Sequence, residues 1–240
     1  MKRFKFLAMA LVAMFMSIGL VACSSDDDDN NGGNSTKKLV KIVSNGDGKE
    51  NTYIFSYDTN GKLKSYDDGY DTYSFNWSDD KISITSINGE SITCGLVNNL
   101  VRNSTKFNTR YTYNDNNKLS NITTQYNACS YKWDGDKIIK CENKIYSYSG
   151  KTCKGFNPVI FETDIFYGND WFITCPELVG ARSNQLPDGF KYKDDNNTEA
   201  KITYEFDSEG YVTEFTIQFY HDGEPSTNEW DTWKYELTWK

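Results

Sequence analysis

The side chains that most often carry out catalysis are scarce in this 240-residue chain. His221 is the only histidine, and it lies in Tyr220–Pro225, whose Asp-Gly pair is typical of a turn. A Ser-His-Asp or Cys-His mechanism would have to use that residue, although a solvated loop histidine needs no such role. The chain contains no G-x-S-x-G, H-E-x-x-H or phosphate-loop pattern. We therefore predict no catalytic residue and a protein that is not an enzyme.

Neighbouring carboxylates offer two other kinds of chemistry. Asp67-Asp68, Asp79-Asp80 and Asp194-Asp195 have oxygens that could bind calcium or, at the right separation, cleave a glycosidic bond. All three pairs lie in turn-like stretches, where Asp is favoured because it bonds its own backbone, and none has calcium-loop spacing. A lone histidine and the lack of a C-x-x-C pair argue against zinc. We predict no metal and no cofactor, and keep a carboxylate-dependent glycan hydrolase as an alternative.

Three aromatic residues are the remaining candidates for a ligand site. Trp171, Phe172 and Trp230 lie outside the regular strand pattern described below. Exposed rings at these positions could stack on sugars or anchor a protein partner. Simple packing in the core is the alternative for all three.

The N-terminal region predicts a covalent lipid anchor. Basic residues at positions 2, 3 and 5 precede an apolar stretch from Phe6 to Leu20, and Leu20-Val21-Ala22-Cys23 matches the bacterial lipobox. About fifteen apolar residues suit the apolar region of a signal peptide better than a bilayer-spanning helix. Residues 1–22 are thus a predicted signal peptide, and cleavage would leave Cys23 as the acylated first residue, held on the membrane by its acyl chains.

An acidic run follows the cysteine and indicates where the protein is displayed. Ser24, Ser25, Asp26, Asp27, Asp28 and Asp29, together with the lipobox, resemble the leader of a Bacteroidetes-type lipoprotein. In that group such a run resembles the signal for export to the outer face of the outer membrane; retention in the periplasm is the alternative. Residues 23–37 read as a flexible tether because they lack apolar side chains after Cys23. The formal net charge of −8 argues against nucleic acid as a partner.

Five cysteines remain after Cys23, namely Cys94, Cys129, Cys141, Cys153 and Cys175. An envelope location permits disulfides, but an odd number leaves at least one thiol free in a monomer. Cys129 and Cys141 are equidistant from Gly135, the centre of a predicted hairpin turn. One register places them opposite each other, and a one-residue slip places them on different faces. Burial as small apolar side chains is the other interpretation.

Repeated hairpins organise residues 38–240, which we predict to be a single all-β domain. Aromatic residues alternate with polar ones before an Asn/Asp/Gly turn in five segments, which begin at Tyr53, Tyr73, Tyr111, Tyr131 and Ile202. The first two segments recur in the next two with a spacing of 56 residues between their last aromatic positions, so Tyr57 and Trp77 correspond to Tyr113 and Trp133. The pattern predicts a large, curved antiparallel meander or a partly closed barrel. The alternating aromatics should form its core: Tyr53, Phe55, Phe75, Trp77, Tyr113, Tyr131, Trp133, Tyr204 and Phe206.

Three stretches carry separate predictions. Ile87-Asn88-Gly89-Glu90 predicts a hairpin with a two-residue type I′ turn. Residues Cys94 to Lys106 have apolar positions at a short helix-like spacing. Residues 150–190 contain three prolines and predict a long excursion with one helical turn near Pro176, which would cover an open end or carry function.

Two resemblances follow from these motifs. Tyr57-Asp58-x-x-Gly61-Lys62-Leu63 looks like the tyrosine-aspartate repeats of Rhs-type proteins. The stretch from Leu178 to Pro187, with Tyr204–Val212, is similar to a Bacteroidetes lipoprotein family described as a domain of unknown function with a porin-like fold. That resemblance implies a curved antiparallel sheet over about residues 38–240 and supplies no activity. We expect a surface lipoprotein that binds a glycan or an envelope or host protein; a structural envelope component is a further alternative.

Overall fold

The computed structural model describes residues 37–46, 49–159, 170–228 and 231–240. Cys23, the acidic run and Trp230 lie outside the described residues. The first nine strands are β1 (Leu39–Gly46), β2 (Lys49–Tyr57), β3 (Leu63–Asp67), β4 (Thr72–Trp77), β5 (Lys81–Ser86), β6 (Ser91–Val97), β7 (Leu100–Ser104), β8 (Thr109–Tyr113) and β9 (Leu119–Thr123). The others are β10 (Ala128–Asp134), β11 (Lys137–Cys141), β12 (Lys144–Ser147), β13 (Gly189–Tyr192), β14 (Asp195–Phe206), β15 (Val212–His221), β16 (Glu224–Pro225) and β17 (Thr232–Trp239).

These strands close into a 16-strand antiparallel barrel. Each strand from β1 to β15 pairs with the next, β15 pairs with β17, and β17 returns to β1 in the register Ile42↔Leu237. The two-residue β16 is an addition to β15. The predicted all-β meander is confirmed, and between the open and closed alternatives the barrel is closed.

The barrel wall is apolar inside and polar outside. On β5, for example, Ile82 and Ile84 are buried while Lys81 and Thr85 are exposed. Outward positions on other strands include the exposed Lys64, Asn76, Lys132 and Glu205. Charged groups facing lipid would cost about 2–4 kcal/mol each near the bilayer midplane, so this wall suits water.

No helix within the described ranges is long and apolar enough to cross a membrane.

The excursion between β12 and β13 fills the barrel. Its described part includes the short 3₁₀-helices Asp170–Thr174 and Pro176–Val179, and the second confirms the predicted turn at Pro176. Its buried side chains belong to the same core as the wall: Cys153, Val159, Trp171, Phe172, Ile173, Cys175, Leu178, Val179, Ala181 and Leu186. The described parts of residues 148–188 therefore act as an internal plug.

Three local predictions were wrong. Residues Cys94 to Lys106 form the β6–β7 hairpin instead of a helix, because Asn98 and Asn99 adopt left-handed backbone angles and reverse the chain. The hairpin at Ile87–Glu90 exists, but the Ser86 amide bonds the Glu90 carbonyl at 2.9 Å, so three residues instead of two separate the bonded pair. Gly89 alone takes the left-handed conformation, and its amide bonds the Ser86 carbonyl at 3.0 Å.

The third error concerns Phe206, the last of the predicted core aromatics. Its side chain is 43% exposed, since a register shift at Glu205/Phe206 interrupts the alternation there. Phe55 and Tyr131 are buried. The other six aromatics of that set are partly buried and pack against the core: Tyr53, Phe75, Trp77, Tyr113, Trp133 and Tyr204.

Because strand directions alternate, the loops divide between two ends of the barrel. The near end is where Lys37 enters and Lys240 leaves, and it carries the loops 58–62, 78–80, 98–99, 114–118, 135–136 and 207–211 as well as the plug connections. The far end carries the loops 68–71, 87–90, 105–108, 124–127, 142–143 and 193–194, together with β16 and the described residues around it, 222–228.

Candidate functional site

A pocket inside the far end brings together aromatic and charged side chains. It has a volume of about 80 Å³. Its described lining comes from β3 to β6, the β7–β8 loop and the plug: Tyr66, Asp68, Tyr73, Ile84, Ile92, Lys106 and Trp171. Strand alternation turns the two tyrosines and two isoleucines inward, where all four are buried.

One wall of this far-end pocket is a ladder of aromatic rings across three strands. Tyr66 stacks on Phe55 at 5.3 Å and on Tyr73 at 5.8 Å between ring centroids. These contacts follow from the register, because Phe55 pairs with Tyr66 and Tyr66 with Tyr73. Tyr53 extends the ladder, with its ring 6.4 Å from Tyr66. Such stacked rings form a rigid apolar surface that needs little reordering to receive a ligand.

Trp171 joins the pocket from the plug. Its ring packs edge-on against Phe75 at 5.0 Å and Trp77 at 6.4 Å, and the residue is only 3% exposed. Its indole N–H is buried and has no hydrogen-bond acceptor among the described residues. A buried donor without an acceptor costs about 1–3 kcal/mol. An acceptor supplied by a ligand in this pocket would remove that cost.

Lys106 extends into the pocket from the β7–β8 loop. Its ammonium lies 5.5 Å from the centre of the Tyr73 ring. Tyr73 is on β4, three strands away from β7 along the wall. The next residue, Phe107, has a φ of 53°, a left-handed conformation that is costly for an aromatic residue. The Phe107 ring lies 6.0 Å from the Tyr126 ring between centroids and 5.9 Å from the Lys106 ammonium. Backbone strain thus accompanies the placement of Lys106.

The rim of the far end is acidic and carries exposed apolar groups. Asp68 lies at the pocket mouth, where its Oδ1 accepts the backbone N–H groups of Tyr70 and Asp71 at 2.9 and 2.8 Å. Tyr70 is 83% exposed and Tyr126 is 76% exposed. Carboxylates outnumber lysines in these loops and the adjoining strand ends: Asp67, Asp68, Asp71, Glu90, Glu142, Asp194, Asp195, Asp222, Glu224 and Asp231, against Lys49, Lys106, Lys144 and Lys193.

A separate polar chain on the far-end rim includes the only histidine. His221 Nδ1 lies 3.2 Å from Thr198 Oγ1, and its Nε2 lies 3.3 Å from Asp231 Oδ2. Ser226 also donates to that carboxylate, at 2.6 Å, and this bond, together with His221, holds the pKa of Asp231 below its usual range. The His221 side chain is 52% exposed. A hydroxyl, an imidazole and a carboxylate in sequence resemble a nucleophilic triad, but a half-exposed site gains little from electrostatic stabilisation.

A larger hollow of about 670 Å³ lies on the outer wall over β12 to β14. Five of the six charged residues in its lining form ion pairs: Lys151 with Asp188 at 3.2 Å, and Lys191 and Lys201 with Glu199 at 3.0 and 3.8 Å. Because these charges already satisfy each other, the hollow offers a ligand less than the far-end pocket does.

The sequence-predicted residues fall in different places. Trp171 lines the pocket. Phe172 is fully buried, with its ring 6.0 Å from Tyr111, so a ligand on the surface cannot reach it. Trp230 and the residues Cys23–Asp29 lie outside the described residues, and their roles stay predictions. Among the described residues no cluster of three metal-binding side chains occurs.

Sequence reasoning missed Tyr66 and Lys106, and it considered Asp68 only as a member of one of three carboxylate pairs in turns. Tyr66 belongs to the strand after an aromatic repeat, and Lys106 lies in the stretch read as helical, so neither carried a signal of a site. The adjacent Phe107, an aromatic residue followed by Asn108 between two strands, was the only local sign of an unusual loop.

The architecture matches that of solved structures. A porin-like protein from Bacteroides uniformis ATCC 8492 superposes with a TM-score of 0.65 at 15% identity, over 85% of this chain and 98% of that one. A porin-like protein from Bacteroides vulgatus ATCC 8482 gives a TM-score of 0.60 at 13% identity, over 85% and 99%. The likeness is one of fold. No family model matches the chain, and no curated protein matches it. The lipoprotein family and the Rhs-type repeats therefore stay predictions.

Proposed function

We propose that this protein is a surface lipoprotein of the outer membrane that binds a glycan in its far-end pocket without turning it over. The observation that carries the proposal is the buried indole N–H of Trp171 in a pocket walled by stacked tyrosines. The porin-like fold agrees with an envelope protein.

A sugar matches the chemistry of this pocket better than a purely apolar ligand. The C–H faces of a sugar ring pack on aromatic side chains, while its hydroxyls need both donors and acceptors. Trp171 and Lys106 are donors and Asp68 is an acceptor. An apolar ligand would leave the Trp171 N–H unpaired and would bury the charged rim without compensation. A volume of about 80 Å³ is small for a ligand pocket, so only the terminal group of a glycan could enter it and the middle of a chain could not.

The position of the pocket agrees with display from a lipid anchor. Lys37 enters at the near end, where its ammonium pairs with Asp207 at 2.9 Å. A lipid anchor at Cys23 therefore attaches to the end opposite the pocket. Extended at about 3.5 Å per residue, the chain between Cys23 and Lys37 reaches on the order of 45 Å from the membrane. The far end would then face away from the bilayer.

The binding test uses a panel of polysaccharides and host glycoproteins, scored for both affinity and turnover. Trp171→Phe removes the N–H and keeps an aromatic ring, and we expect affinity for a bound glycan to fall about tenfold, the loss of one hydrogen bond to a buried donor. Lys106→Ala should also weaken binding. Lys137→Ala is the matched control, since Lys137 lies 5.8 Å from the centre of the Tyr148 ring at the opposite end.

Two outcomes would overturn this proposal. One is glycan binding that Trp171→Phe and Lys106→Ala leave unchanged, which would move the site elsewhere. The other is turnover of any substrate. In that case His221→Ala separates a mechanism through Thr198, His221 and Asp231 from a hydrolase that uses paired carboxylates. Absence of binding across the panel would favour a structural envelope protein.

The proposed location has its own test. Replacing Asp26, Asp27, Asp28 and Asp29 with Ala should leave acylation of Cys23 intact, as measured by mass spectrometry, while reducing protease accessibility on whole cells. Unchanged accessibility would show that the run is only a solvated linker.

A further inference from the structure

Two buried cysteines lie on neighbouring strands of the barrel wall. In the β10–β11 hairpin Tyr131 pairs with Cys141, and the Glu142 amide bonds the Ser130 carbonyl at 3.0 Å. Cys129 is two residues before Tyr131, so Cys129 and Cys141 point to the same face and occupy diagonal positions. Both are buried, at 1% and 0% exposure. The structure has neither the opposed register nor the one-residue slip that the sequence left open, because Cys141 pairs with Tyr131, but this two-residue offset still keeps both thiols on one face.

The two thiols contact each other directly. Each lies within hydrogen-bonding reach of the other, and this contact together with burial raises the pKa of Cys129. The three other described cysteines have different neighbours. Cys94 bonds Ser104, the Cys153 thiol donates to the Phe156 carbonyl at 3.3 Å, and Cys175 lies 3.7 Å from the Thr174 hydroxyl. Among the described cysteines, Cys129 and Cys141 thus form the one thiol pair placed for a covalent bond.

We infer that Cys129 and Cys141 form a disulfide when the protein matures in an oxidising envelope. The two S–H bonds break, a single S–S bond forms, and the pair gives up two protons and two electrons. The acceptor is the disulfide of a thiol-disulfide oxidoreductase, which is reduced to a dithiol. Bond formation requires the two strands and side chains to bring the sulfurs from contact to about 2.0 Å, and the remaining three thiols stay reduced.

Oxidation must precede closure of the barrel. Exchange needs a thiolate and access for the oxidant, and both are suppressed once the pair is buried beside the plug. The hairpin itself is local, because only the tight turn at Gly135–Asp136 joins its strands. Such hairpins form in about 1–10 μs, long before a large barrel closes. The pair is therefore together and still exposed during an early stage of folding.

The test is a mass measurement on full-length protein taken from the bacterial envelope, denatured and alkylated without reductant. We expect the two cysteines to escape alkylation, with a mass two hydrogens below that of the reduced chain, and a linked peptide pair containing Cys129 and Cys141. Cys94→Ala is the matched control and should keep the linked pair. Alkylation of all five cysteines outside the leader, or a linked pair that uses another cysteine, would overturn the inference.

A second measurement does not depend on any variant folding well. The reduced protein is offered oxidised glutathione either folded or in denaturant, and disulfide formation is followed over time. We expect at least a hundredfold faster oxidation in denaturant. Equal rates would show that the pair is accessible in the barrel, and failure to form the linked pair on refolding with oxidant would sink the proposal.

Discussion

The two ends of the barrel use the same repeated hairpins for different purposes. At the near end, half-buried aromatic residues lie at or near the ends of strands. Each donates a hydrogen bond to a backbone carbonyl at or beside the start of a neighbouring strand. The seven donors, at 2.5–3.0 Å, are Tyr57, Trp77, Tyr113, Trp133, Tyr148, Tyr204 and Trp239. At the far end, by contrast, tyrosines such as Tyr70 and Tyr126 extend into solvent.

Cations reinforce this near-end ring. A lysine or arginine lies 4.7–5.9 Å from the centre of six of the seven rings: Lys38, Lys62, Arg102, Lys118, Lys137 and Lys151. Because these hydrogen bonds and cation contacts recur around the near end, they indicate a structural role. The far-end loops, in contrast, differ from one hairpin to the next. The repeated hairpins thus stabilise the wall at the near end of the barrel and leave the loops at the far end free to vary.

The largest expected effect is the difference in stability loss between substituting one of the seven near-end aromatic residues and substituting a far-end one. Trp133→Ala removes a packed indole and its 2.6 Å bond to the Leu119 carbonyl, and should lower the free energy of unfolding by about 3 kcal/mol. Tyr126→Ala, at an exposed loop, should change it by less than about 0.5 kcal/mol. Denaturant unfolding measures both. Similar losses would break the distinction between the ends.

An intermediate effect should come from the plug where it meets the near end. Gly180 has a φ of 60°, and a Cβ there would lie 2.2 Å from the Asn117 carbonyl oxygen. Gly135 has a φ of 56° but has nothing within 4 Å of such a Cβ. Both Gly→Ala changes carry the backbone cost of about 1–2 kcal/mol. Gly180→Ala should lose at least about 1 kcal/mol more, measured as the difference in unfolding free energy between the two variants.

The smallest effect concerns the ion cluster where Lys37 enters the barrel. Bonds to Glu209 and Asp207 raise the pKa of Lys37 to about 12, and the bond to Lys37 lowers the pKa of Asp207. A raised lysine pKa gives stability that is present below pH 10.5 and is lost as pH rises towards 12. The lowered aspartate pKa gives stability that is present above about pH 3.8 and is lost below it.

Lys37→Met should therefore flatten the dependence of stability on pH in both windows, as followed by unfolding midpoints across a pH series. Exposed pairs contribute little, so the change should be small and should shrink further in 0.5 M salt. Lys193→Met, a far-end lysine, is the control and should leave both windows as they are.

Much of the wall could be predicted from the sequence because its signal is periodic and local. The 56-residue repeat held in detail: Trp77 donates to Leu63 and Trp133 to Leu119, partners that are again 56 residues apart. Gly61, Asn117 and Gly210, which lie in the Asn/Asp/Gly turns after three of the segments, also adopt left-handed backbone angles. Alternation and turn chemistry act within a few residues, so one sequence suffices to read them.

The pocket could not be predicted, since its parts come from residues far apart in the chain. Trp171 was singled out, but only the closed barrel brings it beside Tyr66 and Tyr73, about a hundred residues earlier. The error at Asn98-Asn99 had a different cause. The apolar residue pairs on either side of these asparagines have a spacing that is also typical of a helix. The two asparagines, however, adopt left-handed conformations and make a tight turn between the pairs.

The seam between β1 and β17 has a kinetic consequence. Lys38 and Lys240 exchange backbone hydrogen bonds of 2.6 and 2.9 Å across it, joining residues from opposite ends of the chain. Such a contact has the highest sequence separation in the barrel, so its loop-closure entropy must be overcome after the hairpins have formed. Until then both strands are unpaired edges, and an edge pairs as readily with a second molecule. Refolding yield should therefore fall as protein concentration rises, with linked dimers through exchanged β1 strands as the competing product.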